Sequence, residues 1–313
     1  MTLTQFEYVL ALNTFRHFGE AAEHCNVTQP TLSAQIQKLE EQIGIKLFDR
    51  SKQPVVPTQQ GEALIQQMKQ VLHQKQALEE LIQSQKGIIN GTLRLGIIPT
   101  LAPYLLPLFV NAFIQKYDGI KFYVTEHTTE QLVSQLLEGK LDAGILVTPL
   151  QEPSIKEQPL FYEKLVAYVA ENNPLYNAKT VQPEDIATDK LWLLEEGHCF
   201  RSQMMQLCKA RNTAKDKAHF HYEAGSLETL RKMVDMSSGI TILPQLATTD
   251  LSTQKLQQIK HFPAPEPVRE VSIITHRDFV KKRLVDILRK EILLHLPKTV
   301  QREKPSHLLP ILQ

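Results

Sequence analysis

Two short apolar stripes on either side of a tight turn constrain the N-terminal part of this chain more than any other feature. Phe18, Ala21, Ala22 and Cys25 recur at i, i+3, i+4 and i+7, which lays one apolar face along a short helix and places Cys25 in a core. The turn His24-Cys25-Asn26-Val27 follows. Thr28 then supplies an N-cap, Pro30 suits a first helical turn, and Leu32, Ile36, Leu39 and Ile43 make the buried face of a second helix. Two short helices joined in this way read as a helix-turn-helix.

On the second helix Pro30, Thr31, Ala34, Gln37 and Lys38 fall opposite the apolar stripe, Ser33 lies on its flank and Gln29 opens it. This face has the chemistry for a major groove. Glutamine can bond an adenine edge, threonine and serine can bond a base or a phosphate, and an alanine methyl can touch a thymine methyl. Periodicity alone fits the solvated face of a helical hairpin equally well.

The order and spacing of Ala21-Ala22, Thr28-Gln29-Pro30, Leu32-Ser33, Gln35-Ile36, Leu39-Glu40, Gly44, Leu47-Phe48 and Arg50 resemble the winged helix-turn-helix of LysR-type transcriptional regulators. The resemblance implies double-stranded promoter DNA as a partner, with RNA polymerase as a further one. Leu47-Phe48 and Val55-Val56 would form the wing, with Arg50 and Lys52 placed for phosphate or minor-groove contact. Residues 1–57 are nevertheless not basic: five Lys or Arg stand against six Asp or Glu. Affinity for a phosphate backbone must then rest on local placement of Lys38, Arg50 and Lys52, on helix N-termini, and on several copies binding together.

Thr58 can cap a long helix reaching to about Gly87, with Leu64, Val71 and Leu78 seven apart and Met68 and Ile82 on the same seam. Such a helix is longer than a small domain's core needs, which favours a dimerisation stripe over packing on its own domain. In LysR-type proteins a linker helix of this kind pairs two DNA-binding domains, and the resemblance extends to a homotetramer. Gly87 and Asn90-Gly91 break the pattern, giving a division into 1–57, a linker over 58–90 and an effector region over 91–313.

Beyond the break, apolar strand-like and amphipathic helix-like segments alternate: Leu93–Ile98, Leu101–Lys116, Lys121–Glu126, Gln131–Glu138 and Asp142–Val147. A second set follows over Lys164–Ala170, Lys190–Leu194, Gly197–Arg211, His219–Glu223, Ser226–Met236 and Ile240–Leu243. The chain then returns through Val271–Thr275 and Phe279–Leu294. Alternation of this kind predicts an α/β region with a parallel sheet behind an all-α winged helix-turn-helix. The family resemblance implies two α/β subdomains around a cleft, like periplasmic binding proteins, over about 91–161 with 268–300 and about 162–267. The tail after Pro297 has no functional reading.

Two of only three cysteines sit in Gly197-His198-Cys199-Phe200-Arg201-Ser202-Gln203-Met204-Met205-Gln206-Leu207-Cys208. His198, Arg201 and a helix N-terminus would each lower the Cys199 pKa by favouring negative charge on sulfur. If the segment is helical, nine residues at about 1.5 Å each put the two Cα atoms roughly 13 Å apart, too far for a disulfide without unwinding. That spacing suits a redox switch, while two buried, unreactive cysteines remain the plain alternative.

Gly197-His198-Cys199, Arg201, Gln203 and Cys208 together are similar to the sensing motif of hydrogen-peroxide-responsive LysR-type regulators, although Ser202 stands where an aspartate is common. By that resemblance Cys199 is the peroxide-reactive thiol and Cys208 the resolving one. Thr100 and Thr129, each following a strand, then help hold peroxide; as bare sequence they are also helix-start residues, with Thr128 and Gln131 forming a capping box. A regulator of the same fold that answers to a small metabolite in the cleft is the competing reading. A metal sensor using His198, Cys199, Cys208, His219 and His221 has suitable ligand types but lacks the close cysteine pairs of zinc sites, so neither a metal nor a cofactor is expected. No nucleotide-binding loop or nucleophile elbow points to an enzyme.

At 313 residues, 42 % hydrophobic and a net charge of +1, the composition is that of a globular protein of two or three domains. The N-terminus lacks the basic and apolar regions of a signal peptide, and no run of 18 apolar residues occurs. A cytoplasmic location follows as an expectation, and disulfides there are commonly catalytic or redox-sensing.

Overall fold

The computed structural model describes residues 1–85, 89–186, 191–195, 199–208, 224–277, 279, 282–305 and 308. The chain divides into two compact units, Met1–Ile88 and Ile89–Gln313.

In the first unit α1 (Leu3–Phe15), α2 (Phe18–His24) and α3 (Gln29–Ile43) pack around Val9, Leu12, Ala21, Ala22, Leu32, Ile36 and Leu39. Each start is set locally. Thr2 and Gln5 cap α1 reciprocally, and the Thr28 hydroxyl accepts the Thr31 N–H, as its sequence position predicts. Gly44 ends α3 at φ 70°, a left-handed conformation that glycine adopts without a Cβ clash. The Cys25 side chain is half-buried against this core. The wing is a ribbon of β1 (Phe48–Asp49) and β2 (Val56–Pro57), antiparallel, one residue later on each side than the sequence pattern implied. The shift has a physical cause: Leu47 and Val55 are spent on the core instead of the ribbon.

The linker α4 (Gln59–Gln85) is one continuous helix of 27 residues. Its seam is divided. Ile65 and Met68 are buried in the N-terminal core and Leu64 is half-buried there, whereas Val71, Leu78 and Ile82 are exposed. Lys75 pairs with Glu7 of α1 at 3.1 Å, and a Cβ on Gly61 would lie 2.2 Å from the Leu47 carbonyl oxygen, so the helix start lies against its own domain.

In the second unit β3 (Gly91–Ile97) pairs in parallel with β4 (Ile120–Glu126) and β5 (Ala143–Thr148), with α5 (Ala102–Lys116) and α6 (Thr129–Leu137) as crossovers. The expectation of a parallel sheet holds for these three strands and fails beyond them. The 15-residue β6 (Ile155–Val169) runs antiparallel to β9 (Val268–His276) as far as Lys164, then antiparallel to β7 (Ile240–Pro244) from Leu165, with β8 (Ile259–Lys260) alongside. β9 in turn pairs antiparallel with β5, so the strand order is β4-β3-β5-β9-β6-β7. Alternation of helix and strand carries no information about direction once strands cross from one half of a sheet system to the other.

Helices α7 (Cys199–Leu207), α8 (Leu227–Asp235), α9 (Thr253–Leu256) and α10 (Lys282–His295) complete the α-helices of the described residues. The strand expected over Lys190–Leu194 is reduced to isolated bridges at Leu191 and Leu194, and that expected over His219–Glu223 lies outside the described residues. The first residues after Pro297 are held to the second unit: Tyr162 and Gln301 exchange backbone bonds of 2.8 and 2.9 Å, and Val300 is buried. Among the described residues, no helix is long and apolar enough to cross a membrane.

Candidate functional site

The exposed face of α3 holds what the periodicity placed there. Gln29, Pro30, Thr31, Ala34, Gln37 and Lys38 are exposed and Ser33 is half-buried. Thr31 shares a 2.8 Å hydroxyl contact with Thr28, and Gln37 donates to Glu41 at 2.9 Å, so both side chains are pre-oriented along the helix. Arg50 and Lys52, in the loop between the wing strands, are exposed and, with Lys46, Phe48, Thr58 and Gln59, line a pocket of about 580 Å³ between the wing and the start of α4. Arg50 is not loose: its guanidinium lies 5.3 Å from the Phe18 ring centre and donates to Ser33 Oγ at 3.3 Å and to Glu40 Oε2 at 3.2 Å. Lys52 sits 4.0 Å from Asp49.

In the second unit Thr100 and Thr129 both stand beyond the carboxyl ends of neighbouring parallel strands, β3 and β4, where α/β sheets hold ligands. Thr100 is 3 % exposed and Thr129 9 %. The capping box of Thr128 and Gln131 fixes the start of α6 and thereby the Thr129 backbone. The His127 N–H donates to the Ile97 carbonyl at 3.0 Å, joining the two strand ends.

Cys199 is the first residue of α7, so its position is the positive end of a nine-residue helix, as the sequence reading required. Cys208 stands just past the other end, roughly 13 Å away at helical rise. It is a buried free thiol, and desolvation, followed by the charge of Glu184, raises its pKa from 9.0 to about 12. In the reduced state Cys208 is therefore a protonated core residue. His198 lies outside the described residues, as do His219 and His221 of the metal reading. Among the described residues no cluster of three His, Cys, Asp or Glu is arranged to hold a metal.

The structure adds a cation that sequence reasoning missed. Arg201 turns to the Leu194 carbonyl, with Nη1 at 2.5 Å, whereas Arg269, fully buried on β9, lies 4.9 Å from the ring centre of Phe200 in the first turn of α7. Arg269 makes two bonds to Glu163 Oε1, at 2.8 Å from Nε and 2.6 Å from Nη2, and contacts Thr100 Oγ1 and O at 3.4 Å. Glu163 Oε2 accepts the Leu246 N–H at 3.2 Å. Thr100 and the start of α7 thus lie against one guanidinium. The signal was legible in principle: Arg269 interrupts an apolar strand, and a charge inside a covered strand needs a buried partner.

Residues 3–62 match the model of the bacterial regulatory helix-turn-helix protein of the lysR family, and residues 86–295 match the LysR substrate binding domain. The chain belongs to the LysR family. As a LysR-family protein it is 39 % identical over 276 residues to the DNA-binding transcriptional dual regulator OxyR of Escherichia coli (strain K12), covering 88 % of this chain and 89 % of that protein. It is 37 % identical to a hydrogen peroxide-inducible genes activator of Haemophilus influenzae over 88 % of this chain and 90 % of the other. Among solved structures, full-length OxyR from Pseudomonas aeruginosa carrying a cysteine-to-aspartate substitution matches with a TM-score of 0.77 at 34 % identity, over 95 % of this chain and 99 % of that one. The LysR-family architecture accounts for both units, a helix-turn-helix followed by a mixed α/β regulatory domain.

Proposed function

We propose that this chain is a cytoplasmic LysR-family transcription regulator, not an enzyme, that senses hydrogen peroxide through Cys199 and Cys208 and controls oxidative-stress genes. The observation that carries the reading is α7: a helix that starts at Cys199, sets its Phe200 ring against a buried guanidinium and is followed directly by a buried, protonated Cys208. The names of the relatives, hydrogen peroxide-inducible genes activators among them, agree with it.

The chemistry proceeds in two steps. The Cys199 thiolate attacks one peroxide oxygen, forming the S–O bond as the O–O bond breaks, and the departing hydroxide takes up a proton to become water. The positive end of α7 favours the thiolate, while Thr100, Thr129, His198 and Arg201 hold peroxide or stabilise charge. Cys208, once unwinding of α7 exposes it, attacks the sulfenic sulfur; the S–S bond forms as the S–O bond breaks, and the departing hydroxide takes the Cys208 thiol proton to leave as the second water. Two thiols are oxidised and one peroxide becomes two waters.

The disulfide requires α7 to unwind, since its ends exceed disulfide reach. Remodelling there biases the paired N-terminal units. Gln29, Pro30, Thr31, Ser33, Ala34, Gln37 and Lys38 read the major groove, and Arg50 and Lys52 hold the backbone. The exposed Val71, Leu78 and Ile82 of α4 pair two chains, two such dimers make the tetramer, and RNA polymerase is the further partner. Mass spectrometry of the cysteines after a stoichiometric peroxide pulse tests the reading: a Cys199–Cys208 disulfide with Cys25 reduced supports it. Unmodified Cys199 beside a peroxide-dependent change in DNA binding refutes it.

A further inference from the structure

Glu40 lies on the recognition helix α3 with its side chain at 0 % exposure, at the edge of a small domain where a free carboxylate would be hydrated. Burial of such a charge is costly without partners. Glu40 has four, divided between its two oxygens. Oε1 accepts the backbone N–H groups of Leu47 at 2.8 Å and Phe48 at 3.3 Å, which are the residues leading into the wing. Oε2 faces two cations, Arg50 at 3.2 Å and Lys46 at 3.5 Å.

Arg50 is thereby fixed by three side chains on two helices. Its Nη2 goes to Glu40 and its Nη1 to Ser33, two turns earlier on α3, and the ring of Phe18 on α2 lies against the guanidinium. A guanidinium carries five N–H donors in a rigid fork. With the Arg50 side chain still 34 % exposed, its remaining donors face solvent in a single orientation relative to α3. We propose that Glu40 is a positioning residue for DNA recognition: through Arg50 it locks the wing's backbone contact in register with the base-reading face of α3. The inference rests on the proposal above that Arg50 contacts DNA.

The consequence has an unusual sign. Phosphate contacts set register, while base contacts carry sequence information, so misplacing Arg50 uncouples the two. Glu40→Gln keeps a carbonyl oxygen for the Leu47 and Phe48 N–H groups but removes a negative charge that holds the cations. Affinity for arbitrary DNA should hold or rise, because one fewer negative charge opposes the phosphates. Affinity for a preferred sequence should fall about tenfold relative to it, the size of a lost charge-assisted bond.

The test uses the full chain, reduced, with two duplexes: one selected from a random pool by the wild-type protein, and poly(dI-dC). Glu40→Gln, Arg50→Ala, Arg50→Lys and the double variant Glu40→Gln/Arg50→Ala are compared for the ratio of the two affinities, with thermal melting as a check on folding. The expected result is a reduced ratio for Glu40→Gln and for Arg50→Lys, and no further reduction in the double variant beyond Arg50→Ala, the mark of residues that act as a unit. Should Glu40→Gln fail to fold, Arg50→Lys carries the test, since it keeps the charge and loses the fork. An unchanged ratio in Arg50→Lys overturns the proposal, as do additive losses in the double variant. Arg50→Ala without effect on either duplex would instead remove the DNA-contact reading on which it stands, and the proposal with it.

Discussion

Gln203 sits in α7 at 0 % exposure, between Phe200 and Met204 in an otherwise apolar buried stripe that continues to Cys208. Among the described residues neither its Oε1 nor its Nε2 has a hydrogen-bond partner. A buried polar group left unmatched costs about 1–3 kcal/mol, while a near-isosteric swap in a core costs under about 1.5 kcal/mol. Gln203→Met should therefore stabilise the reduced effector unit by a net of about 1 kcal/mol, raising its melting temperature by roughly 2–4 °C. In an unwound α7 the amide is hydrated, so the oxidised form gains nothing from the change. Stabilising one redox partner by about 1 kcal/mol shifts the thiol–disulfide equilibrium about 5-fold toward reduction, which makes the midpoint potential about 20 mV more positive. Equilibration with glutathione buffers, followed by alkylation and mass measurement of the Cys199–Cys208 pair, reads the shift directly. A variant whose reduced form melts no higher than wild type, or whose potential is unchanged despite a higher melting point, would refute the reasoning; the second outcome would mean that α7 keeps Gln203 buried when oxidised.

Arg269→Gln strands Glu163 as a buried charge and should lower stability by about 3–5 kcal/mol in urea unfolding, whereas adding Glu163→Gln should recover much of the loss. Cys208 has its pKa raised from 9.0 to about 12. Below pH 9.0 the thiol is neutral whether folded or unfolded, and from there to about 12 only the unfolded chain ionises, so the reduced protein should lose stability as pH rises through that window. Cys208→Ala should lack that component in pH-dependent melts. Leu78→Glu places a charge on the exposed seam of α4 and should halve the oligomer mass in sedimentation, while an unchanged mass would exclude this stretch from pairing.

The N-terminal unit was readable because its information is local. Thr28, Pro30 and Gly44 mark the ends of α3, and one apolar period decides which face is buried. Where a residue serves two needs, the reading slipped: Leu47 and Val55 match a strand pattern but are held by the core, and the linker heptad is shared between the first unit's own core and the exposed turns. The cysteine pair and the two threonines were visible as motifs. Arg269 and Glu163 were not, because they are distant in sequence and become partners only through the register of β6 against β9. The parallel-sheet expectation, met by β3, β4 and β5, failed beyond them for the same reason: direction belongs to the crossing strands, not to the composition of any one of them.

That register also decides how an event in α7 reaches the rest of the unit. Glu163 and Arg269 are direct cross-strand neighbours, placed where β6 is about to leave β9 for β7 at Leu165. From this one ion pair, contacts run to Thr100 beyond β3, to Leu246 beyond β7 and to Phe200 in α7. An unwinding of α7 takes the Phe200 ring from the face of Arg269 without supplying the guanidinium a new partner. The pair is then less covered and better hydrated, and charge pairs weaken as the local dielectric rises. The elements it joins are the two sides of the crossing strands, so loss of its cover loosens their mutual orientation rather than either sheet. A redox event at one helix can in this way become a change of angle, provided that Phe200 leaves. Hydrogen exchange at the Leu246 amide, which is bonded to Glu163, reports on that step: protection in the reduced protein should fall after oxidation, and equal protection in both states would mean that the ion pair does not transmit the change.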